Sequence, residues 1–186
     1  AFTTESYTEV LASVLATQGV AGLDNCEGMW AFAWLDDNGL LLCRDRFGEK
    51  PLYVFEDDTG VYFGSEPKFV FALLGRSLPV NLDHLRRYLV NGYKALYKTG
   101  DTFFSGLNEV RPGALVRFDR RGARQDERFW RPRFDVADES MTFEDAVASA
   151  RDALVESVRI RLRADVPIAF CLSGGVDSNA LIAIAK

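Results

Sequence analysis

The sequence has few of the residues that build metal centres or disulfide frameworks. Its 186 residues include one histidine, His84, and three cysteines, Cys26, Cys43 and Cys171. The cysteines are odd in number and none is spaced as CxxC, which argues against a disulfide framework and against a Cys/His zinc site. Unpaired cysteines are typical of a reduced compartment, so we expect a cytoplasmic protein.

Long apolar runs and an excess of positive charge are also missing. No stretch reaches the ~18 apolar residues of a membrane span, and no basic-then-apolar signal peptide opens the chain. The net charge of −5 leaves no overall basic field for nucleic acid or an anionic membrane, so we expect neither as a partner. With 48% hydrophobic residues, the chain is globular, with one domain or two small ones.

The first ~135 residues have the pattern of hairpins and short helices. Ser6 and Glu9 are spaced as a capping box before an apolar helical pattern that Gly19 ends. Three hairpins are predicted, with turns at 36–39, 57–60 and 119–122. Short helices are predicted at 66–74 and 82–90. Asn81 would cap the second, on which we expect His84 to be exposed.

The last ~45 residues have a different pattern. Thr142 can cap a long helix with an apolar stripe, and residues 167–172 (PIAFCL) are apolar on both faces, as in a central parallel strand. Glycines and a further helix follow. The change predicts two domains, 1–135 and 142–186, joined by a linker at 136–141.

Residues 173–178 (SGGVDS) lie where this predicted strand ends and a helix begins, which is a ready anion site. The first amides of a helix have no intrahelical partner, and the helix dipole is positive there. Two glycines allow close approach of a phosphate, and Ser173 and Ser178 offer hydroxyl donors. Asp177 could hold the loop by hydrogen bonds or help to place Mg²⁺. The alternative is a glycine turn with a serine cap.

The string SGGVDS resembles the pyrophosphate-binding loop of the ATP pyrophosphatase (PP-loop) superfamily. Enzymes of that superfamily cleave ATP to AMP and pyrophosphate. The resemblance implies that ATP is bound here with Mg²⁺, although no metal ligand is assigned. The implied ATP and pyrophosphate contacts are Cys171, Ser173, Gly174, Gly175, Asp177 and Ser178.

A second motif lies at residues 44–53 (RDRFGEKPLY). Asp45 between two arginines predicts a compact ion-pair centre, which by itself could be a charged hairpin corner. GMWAFA at 28–33 precedes this motif and SEPK at 65–68 follows it. Together these strings closely resemble the glutaminase domain of glutamine-hydrolysing asparagine synthetases, whose domain order also matches.

The resemblance implies an α+β N-terminal-nucleophile glutaminase-type sandwich, present in part, followed by the start of an α/β PP-loop nucleotide-binding domain. It implies that the glutaminase frees ammonia from glutamine. The synthetase then adenylates the β-carboxylate of aspartate, and ammonia displaces AMP to form asparagine. It also implies a possible homodimer.

The chain departs from that family at two positions. The family's nucleophilic cysteine directly follows the initiator Met, whereas this chain starts at Ala1. We expect the nucleophile upstream, expect Cys26 and Cys43 to be core residues, and expect this chain alone to be inactive. The family's glutamine-site aspartate is replaced by Tyr7, which cannot pair with an ammonium group.

Two alternatives to an asparagine synthetase remain open. The first is a relative that amidates or cyclises another carboxylate, with altered or lost glutaminase activity, and Tyr7 motivates it. The second is a PP-loop tRNA-modifying enzyme, since eight arginines lie between Arg111 and Arg133 and could bind RNA. A solvated, charged hairpin is the favoured interpretation of these arginines.

Overall fold

The computed structural model divides the chain into two units, Ala1–Pro132 and Arg133–Lys186. It describes residues 2–4, 6–93, 96, 99–132, 134 and 137–186. Positions 135 and 136, where the predicted first domain ends and the linker begins, lie outside the described residues.

The first unit contains the three predicted hairpins and the predicted helices. Its helices are α1 (Tyr7–Gln18), a 3-10 helix (Gly19–Asn25), α2 (Pro67–Leu74) and α3 (Leu82–Asn91). Its strands are β1 (Ala31–Asp36), β2 (Gly39–Arg44), β3 (Tyr53–Asp57), β4 (Gly60–Gly64), β5 (Asn108–Glu109), β6 (Ala114–Asp119) and β7 (Arg124–Arg128). The two-residue strand β5 has no sequence pattern of its own and was not predicted.

The strands form two antiparallel sheets. One has the order β1-β2-β6-β7 and the other β4-β3-β5. Long-range pairing joins the first hairpin to the third, with Leu42 of β2 opposite Val116 of β6. Each sheet therefore combines a local hairpin with strands from elsewhere in the chain.

The core has three layers of apolar contacts. Between the sheets lie Leu42, Leu52, Val54, Val110, Val116 and Phe118. On the outer face of the four-stranded sheet, Leu15 of α1 packs against Leu41 and Leu115. On the outer face of the other sheet, Val70 of α2 packs against Phe55. The order helix, sheet, sheet, helix confirms the predicted sandwich.

The start of α1 is held by side-chain hydrogen bonds. The Ser6 hydroxyl accepts from the amide of Thr8 at 3.2 Å, which confirms Ser6 as the cap. The predicted capping box was wrong, because the Ser6 amide donates to the Thr4 hydroxyl and not to Glu9. The Glu9 carboxylate accepts from the amides of Thr3 at 2.9 Å and Thr4 at 2.7 Å, and from both their hydroxyls. These bonds, those from the Thr3 amide and the Thr4 hydroxyl first, lower the pKa of Glu9 from 4.5 to about 2.

This shift predicts a pH dependence. Folding lowers the pKa of Glu9, so its contribution to stability is complete above about 4.5 and is lost as the pH falls through about 2. We expect Glu9→Gln to lower the thermal midpoint of the full-length protein at about pH 6 and to change little near pH 2. Glu144→Gln, in the first turn of another helix, is the control. An equal effect of Glu9→Gln at both pH values would contradict the assignment.

Helix α3 differs from its prediction in one residue. Asn81 caps it as predicted, accepting from the amide of His84 at 3.0 Å. The expectation that His84 is exposed was wrong, because its exposed fraction is 2%. Its ring meets Phe103 edge-on at 4.8 Å between centroids, and Tyr88, one turn later, contacts the same ring at 5.5 Å. The buried face of α3 is thus set by Phe103, which lies far along the chain.

The second unit contains helices α4 (Phe143–Arg161) and α5 (Val176–Ala185). Thr142 caps α4 as predicted, accepting from the amide of Asp145 at 3.1 Å. The strand predicted at 167–172 was wrong, since the structure assigns no strand there. A strand needs a hydrogen-bonded neighbour, and the described residues of this unit include no other strand. None of the described helices is long and apolar enough to cross a bilayer.

Candidate functional site

The loop at residues 173–178 opens helix α5 without a side-chain cap. Gly175 is the N-cap residue and has no side chain to satisfy the first amides of the helix. Gly174 has a φ of +81°, a left-handed conformation that glycine adopts without strain. The positive end of the helix dipole therefore faces solvent with amide donors available, which is the geometry of an anion site.

Side chains of the loop hold its backbone. The hydroxyl oxygens of Ser173 and Ser178 lie 3.1 Å apart, and the Ser178 hydroxyl donates to the carbonyl of Gly175 at 3.1 Å. Asn179 donates to the same carbonyl from its side chain at 2.9 Å and from its amide at 3.1 Å. The sequence analysis did not predict a role for Asn179. The available signal was its position four residues after Gly175, which places its side chain one helical turn from that carbonyl. The structure thus brings both predicted serines to one loop.

Asp177 and Cys171 complete the predicted set. Asp177 lies in the first turn of α5 and is exposed. Cys171 is exposed in the segment before the loop. Among the residues that the structure describes, no group of three or more His, Cys, Asp or Glu side chains could hold a metal ion. Because Mg²⁺ is commonly held by one or two carboxylates together with substrate phosphates, Asp177 suits an ion that arrives with a nucleotide.

The motif at residues 44–53 is organised by one buried carboxylate. Asp45 is 1% exposed. Its oxygens accept from four backbone amides, those of Trp30 at 3.3 Å, Phe47 at 3.1 Å, Glu49 at 2.9 Å and Lys50 at 3.0 Å. The predicted ion-pair centre was wrong, because the adjacent arginines, Arg44 and Arg46, pair with other carboxylates. Asp45 instead closes the loop onto the end of β2.

Arg44 fastens this loop to the rest of the sandwich. Its guanidinium donates to the carbonyls of Gly48, Lys50 and Val110, each at 2.7 Å. It also pairs with Glu109 at 2.8 Å. A β-carbon at Gly48 would lie 3.0 Å from the Arg44 guanidinium, so the loop needs glycine there. The motif is therefore a rigid corner, and its described contacts give it a structural role.

The cysteines near this motif are structural, as predicted. Cys43 is fully buried, and the Trp30 indole donates to its sulfur at 3.4 Å. Burial raises the pKa of the Cys43 thiol to about 12, so no thiolate nucleophile forms at neutral pH. Cys26 is half-buried against the same apolar cluster. Neither cysteine therefore replaces the expected upstream nucleophile.

Tyr7 begins α1, and its side chain lies in solvent. The residue is 81% exposed. The nearby Glu9 carboxylate accepts hydrogen bonds from Thr3 and Thr4. It is therefore not a free carboxylate that could replace the aspartate expected at position 7.

Both sequence motifs lie in segments that family models match. Residues 1–130 match the glutamine amidotransferase domain and residues 149–186 match asparagine synthase. The first match covers most of the chain. The chain therefore belongs to the glutamine amidotransferase domain family, which confirms the resemblance drawn from residues 28–68.

Among curated proteins, the chain is similar to asparagine synthetases. It is 32% identical to the glutamine-hydrolysing asparagine synthetase 3 of Bacillus subtilis, over 99% of this chain and 30% of that protein. It is 30% identical to asparagine synthetase 1 of the same organism, over 100% of this chain and 29% of that protein. The chain thus spans about a third of the length of these relatives.

Other relatives carry different names. The chain is 29% identical to the amidase chry2 of Gibberella zeae, over 97% of this chain and 26% of that protein. Among solved structures, a glutamine PRPP amidotransferase from Bacillus subtilis superposes with a TM-score of 0.48 and 19% identity, over 90% of this chain and 34% of that one.

Proposed function

We propose that the protein carrying this chain is an ATP-dependent, glutamine-hydrolysing amide ligase, an asparagine synthase. The observation that carries the proposal is the order of the two parts. A segment of the glutamine amidotransferase family comes first, and a segment matching asparagine synthase follows. The second segment contains a glycine loop that opens a helix with uncapped amides.

In the first half-reaction, glutamine and water give glutamate and ammonia. The described residues of the sandwich provide its framework, with Asp45 and Arg44 holding the corner after β2. None of these residues is assigned as the nucleophile of this step. Cys43 is excluded from that role by its burial.

In the second half-reaction, a carboxylate oxygen attacks the α-phosphorus of ATP, and pyrophosphate leaves. Ammonia then attacks the carbonyl carbon of the acyl adenylate, and AMP leaves. Pyrophosphate gains negative charge as its bond to the α-phosphorus breaks. The uncapped amides of α5 and the hydroxyls of Ser173 and Ser178 would stabilise that charge. Mg²⁺ would neutralise phosphate charge, with Asp177 as its protein ligand.

Aspartate is the acceptor that the asparagine synthetase relatives suggest, and a homodimer belongs to the same proposal. A second candidate is a ligase for another carboxylate. Two observations favour it, namely Tyr7 at the expected aspartate position and the amidases among the relatives. It differs from the first proposal in the acceptor and in the use of glutamine.

The test uses the full-length protein with Mg-ATP and ammonia, and measures pyrophosphate release with and without aspartate. Aspartate-dependent release with asparagine as product is expected. Pyrophosphate release that does not depend on aspartate would mean that the acceptor is another carboxylate. No release of pyrophosphate with any acceptor tried, although ATP is bound, would contradict both.

Tyr7 predicts poor use of glutamine. We expect Tyr7→Asp to raise the glutamine-supported rate and leave the ammonia-supported rate unchanged, because a carboxylate can pair with the glutamine ammonium. An aspartate in the first turn of α1 is compatible with the helix. Tyr7→Phe is the control and should change neither rate. A fall in the glutamine-supported rate of Tyr7→Asp would contradict the role of this position.

A further inference from the structure

The sandwich carries a groove of about 610 Å³ that no part of the proposed reaction uses. Residues of β5, β6 and β7 and of the segment 99–101 line it. It shares no residue with the loop at 173–178. Its lining contains four carboxylates and four arginines.

Every carboxylate that lines the groove is already paired with an arginine. The pairs are Asp101–Arg87 at 3.6 Å, Glu109–Arg44 at 2.8 Å, Asp126–Arg124 at 2.7 Å and Glu127–Arg117 at 3.7 Å. Three of these four partner arginines lie outside the lining. The acidic side of the groove is therefore neutralised without using the remaining arginines.

Three arginines of the lining are left over. The side chains of Arg111, Arg128 and Arg131 make no hydrogen bond or ion pair with the part of the chain that the structure describes. The eighth arginine of the run, Arg133, lies outside the described residues. The groove therefore carries three arginines that no carboxylate of the described residues pairs, in a protein whose net charge is −5.

Backbone hydrogen bonds fix the main chain near these three arginines. The carbonyl of Arg111 accepts from the amide of Ala114 at 3.2 Å. Ala114 is the register partner of Arg128 in the β6–β7 pair. The carbonyl of Gly113 accepts from the amide of Trp130 at 3.3 Å, next to Arg131. Strand pairing at Arg128 and these backbone hydrogen bonds thus hold the main chain from which the three side chains extend.

We propose that this groove binds a multiply charged phosphoryl anion of the pyrophosphate class. Each guanidinium can donate two parallel hydrogen bonds to phosphoryl oxygens. A single carboxylate would neutralise only one of the three charges. A diphosphate offers several charged oxygens to all three arginines, and the paired carboxylates give the groove a polar wall that stays neutral.

The experiment titrates inorganic pyrophosphate into the full-length protein, without Mg²⁺, by calorimetry. The 173–178 loop is silenced first by Gly175→Asp, which places a carboxylate at the uncapped amides. Binding is expected to remain in that variant. Adding Arg111→Gln, Arg128→Gln and Arg131→Gln should weaken it by about tenfold or more. The matched control adds Arg86→Gln, Arg120→Gln and Arg121→Gln, with the same change of charge outside the groove, and should weaken it less than about twofold.

Three results would overturn the proposal. The first is no pyrophosphate binding once the loop is silenced. The second is equal weakening in the two triple variants, which would mean a general charge effect. The third is a salt-sensitive complex with tRNA that depends on the groove arginines and that pyrophosphate does not displace, which would assign the groove to a nucleic acid. Because the titration needs no turnover, its failure is distinguishable from failure of the proposed ligase activity.

Discussion

Replacing Gly175 by aspartate is expected to abolish ATP-dependent pyrophosphate release while leaving helix α5 folded. The N-cap residue has φ −75° and ψ 161°, which aspartate adopts readily and where it is a favoured cap. A β-carbon there would lie 3.5 Å from the Ser173 hydroxyl oxygen, an ordinary contact. The new carboxylate would occupy the amides that phosphate needs and would repel it.

The expected size follows from the repulsion between charges. Two unit charges about 4 Å apart near a protein surface interact by about 4 kcal/mol, and each 1.4 kcal/mol is about tenfold in affinity. We therefore expect the affinity for ATP to fall by about a hundredfold to a thousandfold. The measurement is ATP binding together with pyrophosphate release by the full-length protein.

The Gly175→Asn variant distinguishes two effects of aspartate at this position, namely its negative charge and its hydrogen bonds to the first amides of α5. Asparagine has nearly the shape of aspartate and also caps helices, but it carries no charge. It should weaken ATP binding much less than aspartate does. If both variants keep the original affinity, the loop at 173–178 is not the phosphate site, and the glycine-turn interpretation takes its place.

The second large effect is expected at Asp45, where Asp45→Ala should destabilise the protein by about 3–4 kcal/mol. The substitution leaves four amides, those of Trp30, Phe47, Glu49 and Lys50, without their acceptor. The Asp45 carboxylate is buried and its four hydrogen bonds are part-buried, so water replaces the lost acceptor only in part and each unpaired donor costs free energy. Urea unfolding followed by tryptophan fluorescence measures the loss.

Asp36→Ala is the matched control for Asp45→Ala. Asp36 also accepts from a backbone amide, that of Asn38 at 2.7 Å, but it lies in an exposed hairpin turn where water replaces the lost acceptor. Its unfolding midpoint should change far less. Asp45→Asn, which keeps one carbonyl oxygen, should fall between the two. Equal midpoints for Asp45→Ala and Asp36→Ala would contradict the role of Asp45 as the centre of the loop.

Local patterns determined much of this protein from the sequence alone. The hairpin turns, the caps at Ser6, Asn81 and Thr142, and the glycine loop before α5 depend on residues within a few positions of one another. Their hydrogen bonds form between near neighbours, so spacing and residue type suffice to predict them. The motifs within 28–68 and at 173–178 likewise indicate the family from residues that are adjacent in sequence.

Only the tertiary structure decided which side chains contact partners that are distant in the sequence. The charges beside Asp45 predicted ion pairs with it, yet Arg44 and Arg46 pair with Glu109 and Glu27, which lie elsewhere in the chain. His84 is buried because Phe103 lies against α3, and residues 167–172 form no strand because an apolar run needs a neighbour to pair with. The three groove arginines that no described carboxylate pairs are evident only from the fold, in which the carboxylates lining the groove pair with other arginines. Hydrogen bonds and ion pairs between distant residues depend on the fold, which local spacing does not encode.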